Sequence, residues 1–234
     1  MKVLILRVAT LLLVCGGVMA SHGCAQEPLE GEASMDLISL PDPELSGEMP
    51  LEVAMHGRRS IRSFRPDALD LRQVSQLLWA AQGITDPEGL RSAPSAGATY
   101  PLEVYLVAGA VEELDSGVYR YDTTAHALRP LGPGDRIAEV AHAALAQRWI
   151  ADAPLILVLA ADMSRTTGRY GERGRRYVYM EMGHAAQNVY LQAEALGLGT
   201  TLVGAFRDGE LTEALGLPSN QEPLGILPLG IPSP

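Results

Sequence analysis

Lysine is almost absent from this chain of 234 residues, and cysteine and aromatic residues are few. Lys2 is the only lysine, so nearly all of the 18 basic residues are arginines. Acidic residues number 28, which gives a formal net charge of −10. Because affinity for nucleic acids comes mainly from Lys and Arg that neutralise phosphates, this balance argues against a nucleic-acid partner.

The two cysteines exclude several kinds of site. Cys15 lies in an apolar N-terminal segment that we expect to be removed, and Cys24 then has no partner for an intrachain disulfide. Histidines are scattered and have no spacing typical of metal ligands, so no metal site is predicted. The histidines considered are His56, His126, His142 and His184.

The N-terminus is typical of a secretory signal peptide. A short basic region precedes an apolar run over 8–14, and small residues follow up to Ala20. We expect residues 1–20 to be a signal peptide. A second interpretation extends the segment to residue 23 and makes Cys24 the lipid-modified cysteine of a lipoprotein. Either way the protein is expected to be exported, as a periplasmic protein or a membrane-anchored lipoprotein.

The rest of the chain is divided by composition. Residues 24–49 are rich in Glu, Pro, Ser and Gly and are interpreted as a polar tether or arm. Residues 50–234 are predicted to form one domain, since 47% of the chain is hydrophobic. Periodicity predicts helices over 51–57, 66–83, 135–147, 177–196 and 208–215, and strands over 103–108, 117–121, 127–131, 154–160, 200–205 and 224–229. Without a regular βαβ rhythm, this order favours a three-layer α+β domain.

A basic run, Arg58-Arg59-Ser60-Ile61-Arg62, stands out in the acidic chain. Its three guanidinium groups and one hydroxyl can surround a phosphate, because the planar fork of Arg donates two parallel hydrogen bonds. If the run is extended, Arg58, Ser60 and Arg62 share one side and Arg59 faces the other way. The alternative is a solvated basic patch on the surface.

Two segments of small residues are further candidates. The loop from Ala93 to Pro101 lets the backbone approach a flat ligand and exposes N–H groups to it, although an ordinary turn is equally consistent with its composition. The segment from Gly197 to Phe206 follows a helix and leads into a strand. It is not a dinucleotide fingerprint, because that motif runs from strand through glycines to helix.

Taken in order, five motifs resemble the nitroreductase-fold flavoproteins, and most of all their SagB/ThcOx-type dehydrogenase branch. They are Arg-Arg-Ser-x-Arg, Pro-Ser-Ala-Gly-Ala-x-Tyr-Pro-Leu-Glu, Met-Gly-His-Ala-Ala-Gln-Asn, Gly-Leu-Gly and Leu-Pro-Leu-Gly. The resemblance covers roughly residues 50–232. It implies a mixed, mostly antiparallel sheet flanked by helices, and a homodimer with two FMN sites at the subunit interface.

The resemblance also implies a set of FMN contacts. Arg58 and Ser60 would hold the phosphate and ribityl chain, with Arg59 beside them, and Arg62 would lie near the pyrimidine edge of the flavin. Contacts from the other subunit would be Pro94, Ser95, Ala96 and Gly97. The residues running along the ring, with a backbone N–H near flavin N5, would be Leu202, Val203 and Gly204.

The implied function is an FMN-dependent oxidoreductase that transfers hydride between flavin N5 and a small-molecule substrate or NAD(P)H. No side chain need act as acid or base, so no catalytic residue is named. A substrate dehydrogenase suits an exported protein better, since NAD(P)H is scarce outside the cytoplasm. The alternatives are an exported flavin-binding protein without turnover and an anion-binding lipoprotein without flavin.

The chain departs from the family pattern in three places. No basic residue follows the final strand, where the sequence ends in Ile231-Pro232-Ser233-Pro234. Gly204 stands where many nitroreductases have Glu. Azoline-oxidising relatives use a Lys-Tyr pair, and no lysine follows Lys2, which argues against azoline oxidation by that route.

A second basic cluster lies between Arg165 and Arg176, which includes three glycines. It is interpreted either as a mobile lid that attracts an acidic substrate or a nicotinamide cofactor's phosphate, or as a solvated loop. Tyr170 and Tyr177 are candidates for stacking on a substrate.

Overall fold

The computed structural model describes residues 36–234. The predicted signal peptide, Cys24 and the first part of the predicted tether lie outside these residues. Within them, no helix is long and apolar enough to cross a membrane.

One sheet of seven strands organises the described part of the chain, in the order β1-β4-β3-β2-β5-β7-β6. Each pair of neighbouring strands is antiparallel. The strands are β1 (Ile38–Ser39), β2 (Leu102–Ala108), β3 (Gly117–Asp122), β4 (Ala127–Pro133), β5 (Leu155–Ala161), β6 (Gly199–Thr200) and β7 (Glu222–Gly230).

Helices cover both faces of the sheet. They are α1 (Leu51–Gly57), α2 (Leu71–Gln82), α3 (Ile137–Ala143), α4 (Met163–Tyr170), α5 (Arg173–Ala195) and α6 (Asp208–Leu215). Helices α2 and α5 contribute to the core on one face, and α3 and α6 to the core on the other. The predicted three-layer α+β architecture is therefore confirmed.

Strand β5 lies between β2 and β7, and all seven of its residues are buried. Leu157 packs into the core on one face, whereas Ile156 and Val158 pack into the core on the other. A strand covered on both faces needs apolar residues at every position, which is why its continuous apolar run predicted a central location.

Two helix boundaries differ from the prediction because of local hydrogen bonds and dihedrals. α2 begins at Leu71, not at Pro66, because Asp70 and Gln73 form a reciprocal capping box at its start. The helix predicted over 135–147 ends at Ala143, where Leu145 and Ala146 have φ values of 59° and 56°. A right-handed helix cannot continue through such residues.

The described part of the predicted tether is packed against the domain. Ile38 and Ser39 pair with β4, and Leu40 is only 7% exposed. The hydroxyl of Ser75 donates a hydrogen bond to the carbonyl of Pro41 at 2.6 Å. Residues 38–41 thus complete one edge of the sheet.

The basic cluster over 165–176 is not a loop. It forms most of α4, a turn at Gly171 and the first turn of α5, which begins at Arg173 instead of the predicted Tyr177. Arginine is a good helix former, so basic residues extend the apolar helix in the N-terminal direction.

Candidate functional site

The basic run leaves α1 as an extended segment beside β6. Ser60 and Thr200 form a parallel bridge, and the Ile61 N–H donates to the Thr200 carbonyl at 3.0 Å. A side chain at position 199 would collide with Ile61, since a Cβ there would lie 2.6 Å from the Ile61 Cβ. Gly199 therefore allows the basic run to lie against the strand.

The three arginines of the run have different surroundings. The Arg58 guanidinium stacks over the Tyr190 ring at 5.2 Å, and that of Arg62 lies 5.9 Å from the Trp149 ring. Tyr190 packs against the α2–α5 core and Trp149 against the opposite core, so Arg58 and Arg62 lean toward different layers. Arg58 and Arg62 therefore do not point to the same side of the extended segment, although strand alternation predicts that they do.

Arg59 stabilises the end of α1. Its Nη1 donates to the carbonyls of His56, Gly57 and Arg58 at 2.8, 3.3 and 2.9 Å. These are carbonyls at a helix C-terminus, where cationic side chains are favourable. The predicted orientation of Arg59, away from its neighbours, is consistent with this capping role.

Tyr190, which sequence reasoning missed, joins the basic run to the segment that follows β6. Its hydroxyl accepts a hydrogen bond from the Leu202 N–H at 2.6 Å and lies 3.2 Å from Thr201 Oγ1. Burial raises the pKa of Tyr190, but hydrogen bonds with Thr201, Leu202 and Ser60 and the nearby Arg58 outweigh it, so the pKa lies below its usual value. A tyrosine within the predicted apolar helix over 177–196 is the sequence signal that could have pointed to it, because a half-buried hydroxyl needs a hydrogen-bond partner.

The segment after β6 carries a free backbone donor. Val203 and Ile226 exchange both backbone hydrogen bonds, at 2.8 and 3.0 Å, so the N–H groups of Leu202 and Gly204 point away from β7. The Leu202 N–H donates to the Tyr190 hydroxyl. The Gly204 N–H donates to no group among residues 36–234, and nothing lies within 4 Å of where its Cβ would be.

The strand predicted over 200–205 is interrupted. β6 ends at Thr200, and pairing resumes only at the Val203 bridge. Pro228 of β7 has no N–H to offer at the intervening position, and the Thr200 hydroxyl occupies its carbonyl at 2.8 Å. Leu202, Val203 and Gly204 consequently form an irregular edge that is accessible at Gly204.

The loop of Pro94, Ser95, Ala96 and Gly97 is held by α4 and α5. The Ala96 N–H donates to the Glu181 carboxylate at 2.8 Å, and Arg169 Nη1 donates to the Gly97 carbonyl at 3.0 Å. Along α5, nine residues separate Glu181 from Tyr190, which is roughly 13 Å. Within one chain, the loop therefore contacts the N-terminal half of α5 and the basic run contacts its C-terminal half.

Glu181 is a second functional candidate that sequence reasoning missed. It is only 4% exposed. Burial raises its pKa above the usual 4.5, and hydrogen bonds from Ala96 and Ser95 oppose this shift without cancelling it. A buried carboxylate of this kind is costly, and here it fixes the backbone of the predicted flavin loop.

We expect Glu181 to make the free energy of unfolding depend on pH. Its folded-state pKa is raised, so its contribution to stability is greatest below pH 4.5 and declines as pH rises through the folded-state pKa. Urea unfolding at a series of pH values should show this decline, and Glu181→Gln should flatten it. Identical pH profiles for both proteins would contradict the assignment.

Tyr190→Phe should destabilise the fold by about 1–3 kcal/mol, because the Leu202 N–H loses its acceptor. FMN affinity should also fall, since the variant loosens the edge that carries Gly204. Tyr119→Phe is the matched control, because it removes a hydroxyl bonded to the Asp115 carbonyl at 2.7 Å. Unfolding and FMN titration of both variants should show a stability loss in each and an affinity loss only for Tyr190→Phe.

A cleft of about 740 Å³ lies elsewhere, between residues 44–54, α2 and the C-terminal half of α5. Its lining includes Gln76, Trp79 and Asn188, but none of the predicted contact residues. Arg58 and Arg62, which form no ion pair with residues 36–234, and the free Gly204 N–H lie at the β6 edge, so we place the candidate site there.

The family profile described as "Nitroreductase family" matches residues 55–231. The chain belongs to the nitroreductase family. It is 47% identical over 193 residues to a protein of Methanocaldococcus jannaschii that is named a nitroreductase, and this match covers 82% of the chain and 95% of the relative.

Solved structures confirm the nitroreductase fold. A crystal structure from Ralstonia eutropha JMP134, named a nitroreductase, matches with a TM-score of 0.74 and 30% identity over 86% of this chain and 92% of that one. The Escherichia coli microcin B17-processing protein McbC is 27% identical, and the match covers 64% of this nitroreductase and 57% of McbC. The McbBCD complex matches with a TM-score of 0.67 at 21% identity, covering 96% of this chain and 85% of that one, a likeness of fold alone.

Proposed function

We propose that this nitroreductase is an FMN-dependent oxidoreductase. The observation that carries the proposal is the pairing of Ser60 with Thr200, which aligns the basic run with the strand edge that ends in the free Gly204 N–H. The side chains that we propose for the phosphate and the Gly204 N–H that we propose for the flavin ring then lie along one continuous edge. Gly204 leaves space for a ring at that edge, because no atom lies near its missing Cβ.

In this proposal, Arg58 and Ser60 bind the phosphate and ribityl chain, and Arg58 is oriented by Tyr190. Arg62 supplies positive charge toward the pyrimidine edge, where it favours a reduced, anionic ring. The Gly204 N–H donates toward the ring. FMN bound in this way supplies hydride transfer at N5, and the protein side chains position it without acting as acids or bases.

We propose that the site is completed by a second copy of the chain. The loop at Pro94–Gly97 contacts α5 at Glu181, roughly 13 Å along the helix from Tyr190, where Arg58 of the same chain lies, and we assign the loop to the site of a partner. Exposed apolar side chains on α1 and, separately, near the start of α5 support a homodimer, because exposed apolar residues are typical of an interface. They are Leu51, Val53 and Met55 on α1 and Tyr179 and Met180 on α5.

The SagB/ThcOx-type branch remains our proposal for the subfamily, and the similarity to McbC supports it. Azoline oxidation through a Lys-Tyr pair is not proposed, because no lysine follows Lys2. Export, as a periplasmic protein or as a lipoprotein anchored at Cys24, is likewise a proposal that rests on the N-terminal segment. Cell fractionation with and without Cys24→Ser would separate these two forms.

The proposal is tested by the visible spectrum of the purified protein. We expect a flavin spectrum, either as isolated or after FMN is added, and a protein that leaves added FMN unperturbed contradicts it. Anaerobic mixing with a panel of donors, including NADH, NADPH and small organic reductants, then separates enzyme from binder. Bleaching by at least one donor supports an oxidoreductase; bound FMN that no donor reduces supports a flavin-binding protein without turnover.

A further inference from the structure

Five arginines lie at the junction of α4 and α5, and they differ in whether they form ion pairs. Arg165 pairs with Glu103 at 2.7 Å, and Arg175 pairs with Glu222 at 3.0 Å. The other three form no ion pair with residues 36–234 and are exposed. We call these three the arginine elbow: Arg169, Arg173 and Arg176.

The elbow is a preformed surface. Gly171, with φ of 57°, turns the chain between the helices, and a Cβ on Gly174 would lie 2.9 Å from the backbone of Thr166. The rings of Tyr170 and Tyr177 meet edge to face with centroids 5.2 Å apart. Close backbone contact and aromatic packing therefore hold the two helices, and the arginines on them, in a defined arrangement.

The elbow borders the loop that we assign to the flavin. Arg169 donates to the Gly97 carbonyl at 3.0 Å, and a Cβ on Gly97 would lie 2.5 Å from Tyr170 Oη. A molecule placed against the flavin near Gly97 would consequently meet both tyrosine and arginine side chains.

We propose that the arginine elbow, with Tyr170 and Tyr177, forms a subsite for an anionic organic substrate that carries a carboxylate or a phosphate group. This assignment of substrate class rests on the proposed function. The protein has a net charge of −10, so anions are repelled by most of its surface and attracted where arginines lack acidic partners. The guanidinium fork suits both anionic groups. Arg169 lies over the Tyr170 ring at 5.5 Å, and the part-exposed Tyr177 beside it offers apolar surface for the rest of the molecule.

The test compares benzoate with benzamide, which have the same shape and differ in charge. Calorimetric titration of the FMN-loaded protein should show benzoate binding about tenfold more tightly, with the difference shrinking in high salt. Phenyl phosphate is the third probe: tighter binding than benzoate assigns the subsite to phosphate, and weaker binding assigns it to carboxylate. Equal affinity for benzoate and benzamide would overturn the inference.

Arg175 provides a control within the same helix turn. Arg173→Gln and Arg176→Gln should each reduce the benzoate preference several-fold, whereas Arg175→Gln should reduce it clearly less, because the Arg175 guanidinium already donates to Glu222 and is not free to donate to the probe. An equal loss in all three variants would reveal only a general charge effect and would refute the subsite. The flavin absorbance of each sample reports separately on the proposed function. Bound FMN without a benzoate preference refutes the subsite alone, and absence of FMN refutes the proposed function.

Discussion

Arg58→Gln is expected to raise the dissociation constant for FMN by about 10- to 100-fold and to change that for riboflavin far less. A hydrogen bond to a charged group contributes roughly 1.5–3 kcal/mol, and each 1.4 kcal/mol is about tenfold in affinity. Riboflavin lacks the phosphate that Arg58 is proposed to bind. Titrations that follow the quenching of flavin fluorescence measure both constants.

Arg72→Gln is the control for this experiment. Arg72 is an exposed arginine near the start of α2, away from β6, and its replacement removes the same charge. FMN affinity should stay within about twofold of the wild type, as is usual for a surface substitution. An equal loss of FMN and riboflavin affinity in Arg58→Gln would instead indicate that Arg58 acts through Tyr190 and not on the phosphate.

Gly199→Ala is expected to lower both stability and FMN affinity. The new methyl group would lie 2.6 Å from the Ile61 Cβ, an atom fixed to the backbone that no rotamer change can move away. Overpacking of this kind costs about 1–3 kcal/mol, which lowers Tm by roughly 2–12 °C in a domain of this size. The basic run must shift away from Thr200, so its alignment with Gly204 is lost as well.

Gly209→Ala on α6 is the matched control. Nothing lies within 4 Å of the position that its Cβ would occupy, and glycine is about 1 kcal/mol worse than alanine inside a helix. Thermal unfolding should therefore show an unchanged or higher Tm for this variant, with normal FMN binding. Wild-type stability and FMN affinity in Gly199→Ala would refute the close packing of β6 against the basic run.

The layers of the fold could be predicted because each strand and helix carries its own pattern. The apolar run of β5 and the two neighbouring segments of the β3–β4 hairpin each lie within a few residues of sequence. Element ends were less predictable, since they depend on particular hydrogen bonds. The missing donor at Pro228 matters only once Thr201 is placed opposite it, whereas the capping box of Asp70 and Gln73 is a local pattern that the predicted start at Pro66 overlooked.

The candidate site likewise contains residues that a local pattern predicted and residues that only distant contacts explain. Tyr190 contacts Leu202 twelve positions away, and Glu181 bonds to Ala96 across 85 positions. No local pattern encodes such pairs, because they arise where α5 crosses other parts of the chain. The predicted contacts themselves came from motifs in order, and direct FMN titration of their variants will test them.

The sequence by itself determined the acidic composition, the order of apolar segments and the location of both arginine clusters. Only the tertiary structure decided what several of the arginines do: Arg58 lies beside Tyr190, and Arg175 pairs with Glu222 while Arg173 forms no ion pair with residues 36–234. The reason is physical. Periodicity and propensity act over a few neighbouring residues, whereas the use of a charge depends on which distant groups the packed helices and strands bring within hydrogen-bonding distance.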